Sequence, residues 1–508
     1  MFISAKDISN FNYTCPSGED LKLLAYISTL YFNQTFLVLS THCEKPVLAL
    51  SYNPVNTVLP YSPIQFPVWK DNCLAPIITD SLVQPFVDAE TDLEKRENIL
   101  KTSIIYIDIH PHLGKDEFYI YTCLKDWGYK GIVIFDDIWY FKTMRDECWY
   151  KIPHLSKMDL TDIGHSTGSG LVDFSGTWTT DISHQPSNQW TLVTAYFNLT
   201  QCPDASPEIK SRDKSYYFQH STSTLTLPYP MVIFCDQESL HQIIQLRPPE
   251  MPTKYVVLPF DSFQFKGKRI GQTFAEYREK IKSNRITHPY EFDPRNTPSY
   301  YLFCMSRYIM LKQVIEKNPF HSTHFAWINF CMERMGISNI RRLPEALSLY
   351  RDKFSTCYID YIPEEFVRKT ELYFQRGRCS MCSGFFTGNA EYMYQVCDAL
   401  EDRFLEYVDQ GYGHADETLY PSVYFDHPDW FEHYYGDYTE MITNYRYVYE
   451  RPESVLTNFV FNSFRFGDTD RCFRACKFLW ESYKQKKCVL TQEQLDKLCF
   501  YYMISGRV

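Results

Sequence analysis

The chain has 508 residues, room for about two to four domains with sizeable cores, so a small module or a peptide is excluded. Lys and Arg total 51 against 62 Asp and Glu, and no long basic run relieves the net charge of −11, which argues against duplex nucleic acid or an anionic membrane as a partner of the whole surface. The aromatic share is 17%, and although flat rings can stack on sugars, most of these rings are expected in cores.

No stretch reaches the ~20 apolar residues of a membrane-spanning helix. The start, MFISAKDISN, lacks a basic segment followed by an apolar one, so a soluble, unexported, cytoplasmic protein is expected. The 17 Cys are odd in number and scattered, which suits free thiols in a reducing compartment. Cys379 and Cys382 form a CxxC without the second pair that a structural zinc site needs.

In chain order, residues 36–39 (FLVL), 104–109 (IIYIDI) and 132–135 (IVIF) read as buried strands, separated by stretches long enough for helices. This is the alternation of a largely parallel α/β sheet. Asp108 and the pair Asp136 and Asp137 close two of these strands, where an open α/β sheet binds its ligands. Capping the helix that follows is the structural alternative for each acid.

Residues 175–188 (SGTWTTDISHQPSN) are polar and lack a period, so they read as a linker. Strands are then expected at 191–199, 231–236, 255–260 and 325–330, with a helix over 299–320 stopping at Pro319. Beyond Glu450 the pattern is helical, with helices expected over 472–488 and 492–504. The domains are therefore set at 1–176, 189–450 and a helical extension at 451–508, with a linker at 177–188.

Residues 104–138 (IIYIDIHPHLGKDEF…GYKGIVIFDDI) and 157–174 (KMDLTDIGHSTGSGLVDF) resemble class I S-adenosylmethionine-dependent methyltransferases of the sort found beside sugar-modifying enzymes. The resemblance implies a seven-strand sheet with Asp108, Asp136 and Asp137 at its carboxyl edge, able to hold a divalent cation and orient a sugar hydroxyl. It also implies His110 and His165 as proton carriers and S-adenosylmethionine as cofactor. The cofactor turn departs from that pattern. It reads LSTHCEKP (39–46), with Ser40 and Glu44 where glycines are expected, and VLPYSPI (58–64) offers Ser62 where an acid should meet the ribose. Bulk and charge at Glu44 should exclude the ligand, so this domain is expected to have lost catalysis.

Seven stretches in order, from TLVTAYFNL (191–199) through NPFHSTHFAWINF (318–330), GFFTGN (384–389) and ADETL (415–419) to HYYGDYTEMITNY (433–445), resemble the HtrL/WlaTC-like glycosyltransferases of bacteria and large viruses. The implied architecture is a GT-A sheet, so the whole chain is expected to be α/β with two Rossmann-like domains and C-terminal helices. The implied substrates are a nucleotide sugar donor and a glycan or glycoprotein acceptor, and if the chain is viral its compartment is the host cytoplasm.

Thr194, Ala195 and Tyr196 would bring backbone against the base. Arg247 offers a planar cation for diphosphate, and Arg307 a second one. Each arginine could equally serve an ordinary ion pair. Where the family's pattern reads Trp-Ile-Asp-Phe-Gly this chain has Asn329, a neutral ligand, which puts Mn²⁺ or Mg²⁺ dependence in question. Gly384, Gly388 and Asn389 would form a loop under the sugar. Asp416 is the candidate general base, with Glu417 the alternative and a helix N-terminus the structural reading of both. Tyr434, Tyr435 and Asp437 would line the acceptor side. The competing functions are a bifunctional enzyme that also methylates the sugar, and a non-catalytic carbohydrate-binding protein.

Overall fold

The computed structural model describes residues 1–13, 21–67, 70–181, 187, 189–266, 273–289, 293–376, 379–449 and 451–506. It divides into two compact units, Met1–His184 and Gln185–Val508.

The first unit carries β1 (Phe2–Ile3), β2 (Thr35–Ser40), β3 (Thr57–Ser62), β4 (Ile77–Ile78), β5 (Ile104–Asp108), β6 (Ile132–Asp136), β7 (Lys157–Asp159), β8 (Ser169–Asp173) and β9 (Thr179–Thr180). Seven of them form one sheet in the order β4-β3-β2-β5-β6-β8-β7, parallel except for β8, which runs against both neighbours. The near-continuous apolar runs follow from burial on both faces. Leu37, Ile105 and Val133 pack into one layer, whereas Phe36, Ile104 and Ile132 pack into the other.

The polar stretch expected to be a linker is structured at its start. β9 pairs in parallel with β1, and Trp178 is buried and stacks on Tyr31 at 6.1 Å between ring centroids. Asp173 holds this turn by accepting the Trp178 N–H at 2.8 Å. One buried indole, invisible to a test of periodicity, thus anchors residues 177–180 to the first unit. Residues 182–186 and 188 of the expected linker lie outside the described residues.

The second unit carries β10 (Trp190–Tyr196), β11 (Met231–Cys235), β12 (Thr253–Val257), β13 (His324–Ile328), β14 (Phe354–Tyr358), β15 (Met381–Asn389) and β16 (Phe431–Tyr435). Their order is β12-β11-β10-β13-β15-β14-β16, and only β15 is antiparallel. The chain steps outward from β10 to β12 and then returns to the other side of β10 at β13. The topological switch point therefore lies between β10 and β13.

The GFFTGN segment expected as a loop is the second half of β15. Phe385 and Phe386 point to opposite faces and join opposite core layers, which a strand achieves and a loop does not. The helix Pro298–Lys317 ends two residues before Pro319, with Asn318 between them in the left-handed region at φ 33°. Helices Thr469–Lys484 and Gln492–Ser505 bury Cys476, Leu479 and Leu498 in the core of this unit. Both units are α/β with a parallel-rich, Rossmann-like sheet.

Candidate functional site

The parallel strands of the second sheet end together, and β15 begins at the same edge. Asn329 follows β13 and donates its backbone N–H to the Gly384 carbonyl at 2.9 Å. A Cβ on Gly384 would sit 2.8 Å from Met441 Sδ and 3.1 Å from Asn329 Nδ2, so any larger residue would have to displace these side chains. Beside it, Ser383 donates its backbone N–H and hydroxyl to Glu417 Oε1 at 3.0 and 3.1 Å, and the Tyr438 hydroxyl donates to Glu417 Oε2 at 2.7 Å. Asp416 and Glu417 open the helix Asp416–Asp426, and Asp416 Oδ1 accepts the Glu417 N–H of its first turn at 2.9 Å.

The two acids differ in kind. Asp416 is fully buried and accepts from Arg307 Nη1 and from the Tyr308 hydroxyl, each at 2.8 Å. Burial works against the Arg307 charge, but Asp416 more than offsets it and the guanidinium is held well above its ordinary pKa. Glu417 is only partly buried as a residue, while its carboxylate lies inward on the Ser383 and Tyr438 hydrogen bonds. Burial, and then the charge of Asp416, push its carboxyl above the ordinary carboxylate range despite the Ser383 and Tyr438 hydrogen bonds.

Several expected site residues lie elsewhere. Arg247 is 3% exposed at the amino ends of β11 and β12, where it donates to Thr253 Oγ1 and to the carbonyls of Leu225, Leu227 and Tyr229. Four of its five donors are spent there, at the edge away from the strand carboxyl ends. Gly388 and Asn389 pair with Phe325 and His324 at that same opposite edge, and Asn389 caps the helix Ala390–Asp409. Tyr434 and Tyr435 are buried in opposite core layers, because a five-residue strand must point alternate residues both ways. Asp437 caps the turn Tyr438–Glu440 through the Tyr438 N–H. The neighbour Tyr438, one residue beyond the expected acceptor side, is the one that reaches Glu417.

Thr194, Ala195 and Tyr196 are buried within β10, and the Thr194 hydroxyl has no partner. The residues after them, Phe197 and Asn198, line a cleft of about 490 Å³ with Asp236, Leu258 and Phe260. Asn329 is a poor cation ligand here. Its amide oxygen accepts the Trp327 indole N–H at 3.2 Å, and among the described residues of this unit no three His, Cys, Asp or Glu side chains converge.

In the first unit the acids at the ends of β5 and β6 do converge. Asp136 accepts from the Tyr106 hydroxyl at 2.9 Å and meets His165 Nδ1 at 3.1 Å. Asp137, in the left-handed region at φ 56°, meets His112 Nε2 at 3.1 Å and the Thr167 hydroxyl. Burial would raise the Asp137 carboxyl, but hydrogen bonds from His165 and Thr167 and the charge of His112 bring it below its ordinary value. Asp136, Asp137 and His165 offer ligand atoms within 4.8 Å of one another, and two carboxylates with an imidazole fit a divalent cation.

Asp108 stands outside that trio. It accepts from the Ser40 hydroxyl at 2.8 Å and faces His112 at 3.5 Å, and burial followed by repulsion from Asp136 raises its carboxyl. His110, expected as a proton carrier, is exposed and donates its backbone N–H to Thr41 Oγ1, whereas His112, two residues on, is buried against Phe141 and faces Asp108 and Asp137. The cavity beside these acids measures about 170 Å³ and is lined by His42, Lys45, Asp108, Asp136 and His165. That is below the ~300 Å³ of a small-molecule pocket. Glu44 is exposed on the first turn of the helix Glu44–Leu50, and at the end of β2 the Ser40 hydroxyl is taken up by Asp108.

Among curated proteins none matches this sequence. Among solved structures, mouse xyloside xylosyltransferase 1 in its apo form is 9% identical, with 48% of this chain and 84% of that one covered at a TM-score of 0.27. The 4-diphosphocytidyl-2C-methyl-D-erythritol synthase of Anaerococcus prevotii DSM 20548 is also 9% identical, covering 53% and 94% at a TM-score of 0.21. Likenesses this distant carry no argument about activity. Residues 188–447, just over half of the chain, match the family described as bacterial protein of unknown function (HtrL_YibB), and the chain belongs to that family.

Proposed function

We propose that the second unit is a nucleotide-sugar-dependent glycosyltransferase acting on a hydroxyl of a glycan or glycoprotein, with Glu417 as its general base. The observation that carries this reading is the division of labour between two adjacent acids. Asp416 is spent on Arg307, while Glu417 at the same carboxyl edge meets no cation among the described residues and has a raised proton affinity. In the reaction Glu417 would take the proton of the acceptor hydroxyl as that oxygen displaces the nucleotide. Ser383 and Tyr438 hold the carboxylate so that one conformation faces the acceptor. The cleft beside Phe197 and Asn198 has the size for a base and ribose.

The first unit is read as a methyltransferase-like domain that no longer methylates. A 170 Å³ cavity and a turn tied by Ser40 to Asp108 support that, and calorimetry should detect no S-adenosylmethionine binding at millimolar ligand. The Asp136, Asp137 and His165 trio is what favours the bifunctional alternative, and micromolar S-adenosylmethionine binding would establish it.

The main test is nucleotide release from a panel of nucleotide sugars, with and without glycan acceptors. Acceptor-dependent release that Glu417→Gln abolishes is expected. A purified full chain that neither binds nor turns over any nucleotide sugar would remove the reading in favour of a carbohydrate-binding protein.

A further inference from the structure

We infer that Arg212 and Arg334 form an anion clamp at the switch point of the second sheet, built to grip the diphosphate of a nucleoside diphosphate without a divalent cation. The clamp deepens the transferase reading and rests on it for the identity of the donor.

The geometry begins with Tyr196, the last residue of β10. Its ring meets Tyr217 at 5.7 Å, Phe218 at 5.0 Å and Phe330 at 5.1 Å, so the short helix Lys214–Phe218 is fixed across the carboxyl ends of β10 and β13. Arg212 precedes that helix, and Arg334 lies in the turn Met332–Met335 that follows β13. Their guanidinium carbons stand 5.8 and 5.1 Å from the centroid of one ring, that of Tyr216. Two strands of opposite progression thus deliver two cations to the crevice where open α/β sheets bind ligands.

What sets the pair apart is the want of a counter-ion. Neither guanidinium lies within ion-pair distance of a carboxylate among the described residues, and Arg334 donates only to the weak acceptor Cys331 Sγ at 3.7 Å. Nearby cations are engaged: Arg295 pairs with Asp293 at 2.8 and 2.9 Å, and Lys214 donates to the Glu238 carbonyl at 2.8 Å. Of the nearby acids, Asp213 accepts the Tyr216 N–H at 2.9 Å and Asp293 belongs to Arg295. Both guanidinium groups are half-buried and face the same Tyr216 ring. An anion bound beside that ring would supply the counter-ion that both lack.

Planar five-donor forks match phosphate oxygens in pairs, and two forks suit two linked phosphates better than one. Asn329, at the end of the same strand and five residues before Arg334, is neutral, so the charge that a metal ion would bring is supplied by side chains instead. Bound there, the guanidinium groups would also stabilise the negative charge that grows on the departing diphosphate.

The test uses the full chain, inorganic pyrophosphate as probe and calorimetry in the presence of EDTA. Pyrophosphate should bind without metal and more weakly as salt rises. Arg334→Met and Arg212→Met should each weaken it roughly tenfold to a hundredfold, and Arg334→Lys should lose less. Melting temperatures serve as the control. The substitutions lie on separate elements, so if one variant fails to fold the other still decides. Pyrophosphate that binds only with Mn²⁺ or Mg²⁺, that does not bind, or that binds both Met variants as it does the parent would overturn the clamp. Nucleotide-sugar turnover in the same preparation separates the two ideas. Turnover with unaffected Arg variants leaves the transferase without this clamp, and Arg-dependent pyrophosphate binding without turnover leaves the clamp without the transferase.

Discussion

Arg307 and Asp416 meet at 2.8 Å with side chains 5% and 1% exposed, joining the helix Pro298–Lys317 to the first turn of the helix Asp416–Asp426. A charge pair this deep holds position more than it adds stability, because desolvation consumes most of the Coulomb gain. Its consequence is local. With Asp416 committed to Arg307, the next carboxylate along the helix, Glu417, is the general base in the proposed reaction.

Removing one partner of that pair strands the other without a counter-ion. Asp416→Asn and Arg307→Met should each lower unfolding free energy by about 3–5 kcal/mol in urea titrations. The double variant Arg307→Met with Asp416→Leu should lose less than the two single losses combined. Strict additivity would mean that the pair is not coupled.

Glu417→Gln keeps shape and hydrogen bonding but cannot accept a proton. Acceptor-dependent turnover should fall by roughly 10²–10⁴-fold while the melting temperature stays near that of the parent. Because burial raises the Glu417 carboxyl, the parent rate should climb with pH until the group ionises, and the variant should lack that limb. A variant that retains the parent rate places the base elsewhere.

Arg247 tests the distinction between the two edges of the sheet. Burial lowers its pKa to about 10, yet three carbonyls and one hydroxyl depend on its donors. Arg247→Met should cost about 2–5 kcal/mol by leaving them unsatisfied, with nucleotide-sugar affinity unchanged in protein that remains folded. A selective loss of donor affinity at unchanged stability would return this residue to the donor site.

Glu117, on the first turn of the helix Lys115–Asp126, gives a stability signature in the first unit. It is 1% exposed, neither carboxyl oxygen meets a side-chain partner, and burial pushes its pKa from the ordinary 4.5 up to about 7. The folded state binds this proton more tightly than the unfolded state. Its contribution is therefore complete below the unfolded value and is lost as pH rises through about 7. Glu117→Gln should match the parent at acidic pH and exceed it by about 1–3 kcal/mol at about pH 8, as read by denaturant midpoints. Parallel curves across that range would show that the carboxyl ionises normally.

The first strands of each sheet and the alternation of helix and strand were legible because buried parallel strands write themselves as apolar, β-branched runs. So were the acids ending β5 and β6, since composition at a strand end is local. The seven family stretches likewise marked the carboxyl edge near Asn329, Gly384 and Glu417. What the sequence could not decide depends on distances between residues far apart in the chain. Which of Asp416 and Glu417 meets a cation depends on Arg307, more than a hundred positions earlier, and on which way a helix start faces. Whether Arg247 sits at the carboxyl edge or the opposite one depends on strand direction. His112 rather than His110 faces the acids, with its backbone in the left-handed region at φ 57°, and periodicity carries no record of that. Arg212 and Arg334 lie over a hundred residues apart, one between two short helices and the other in a helical turn, and only the return of β13 to the side of β10 brings them to one ring.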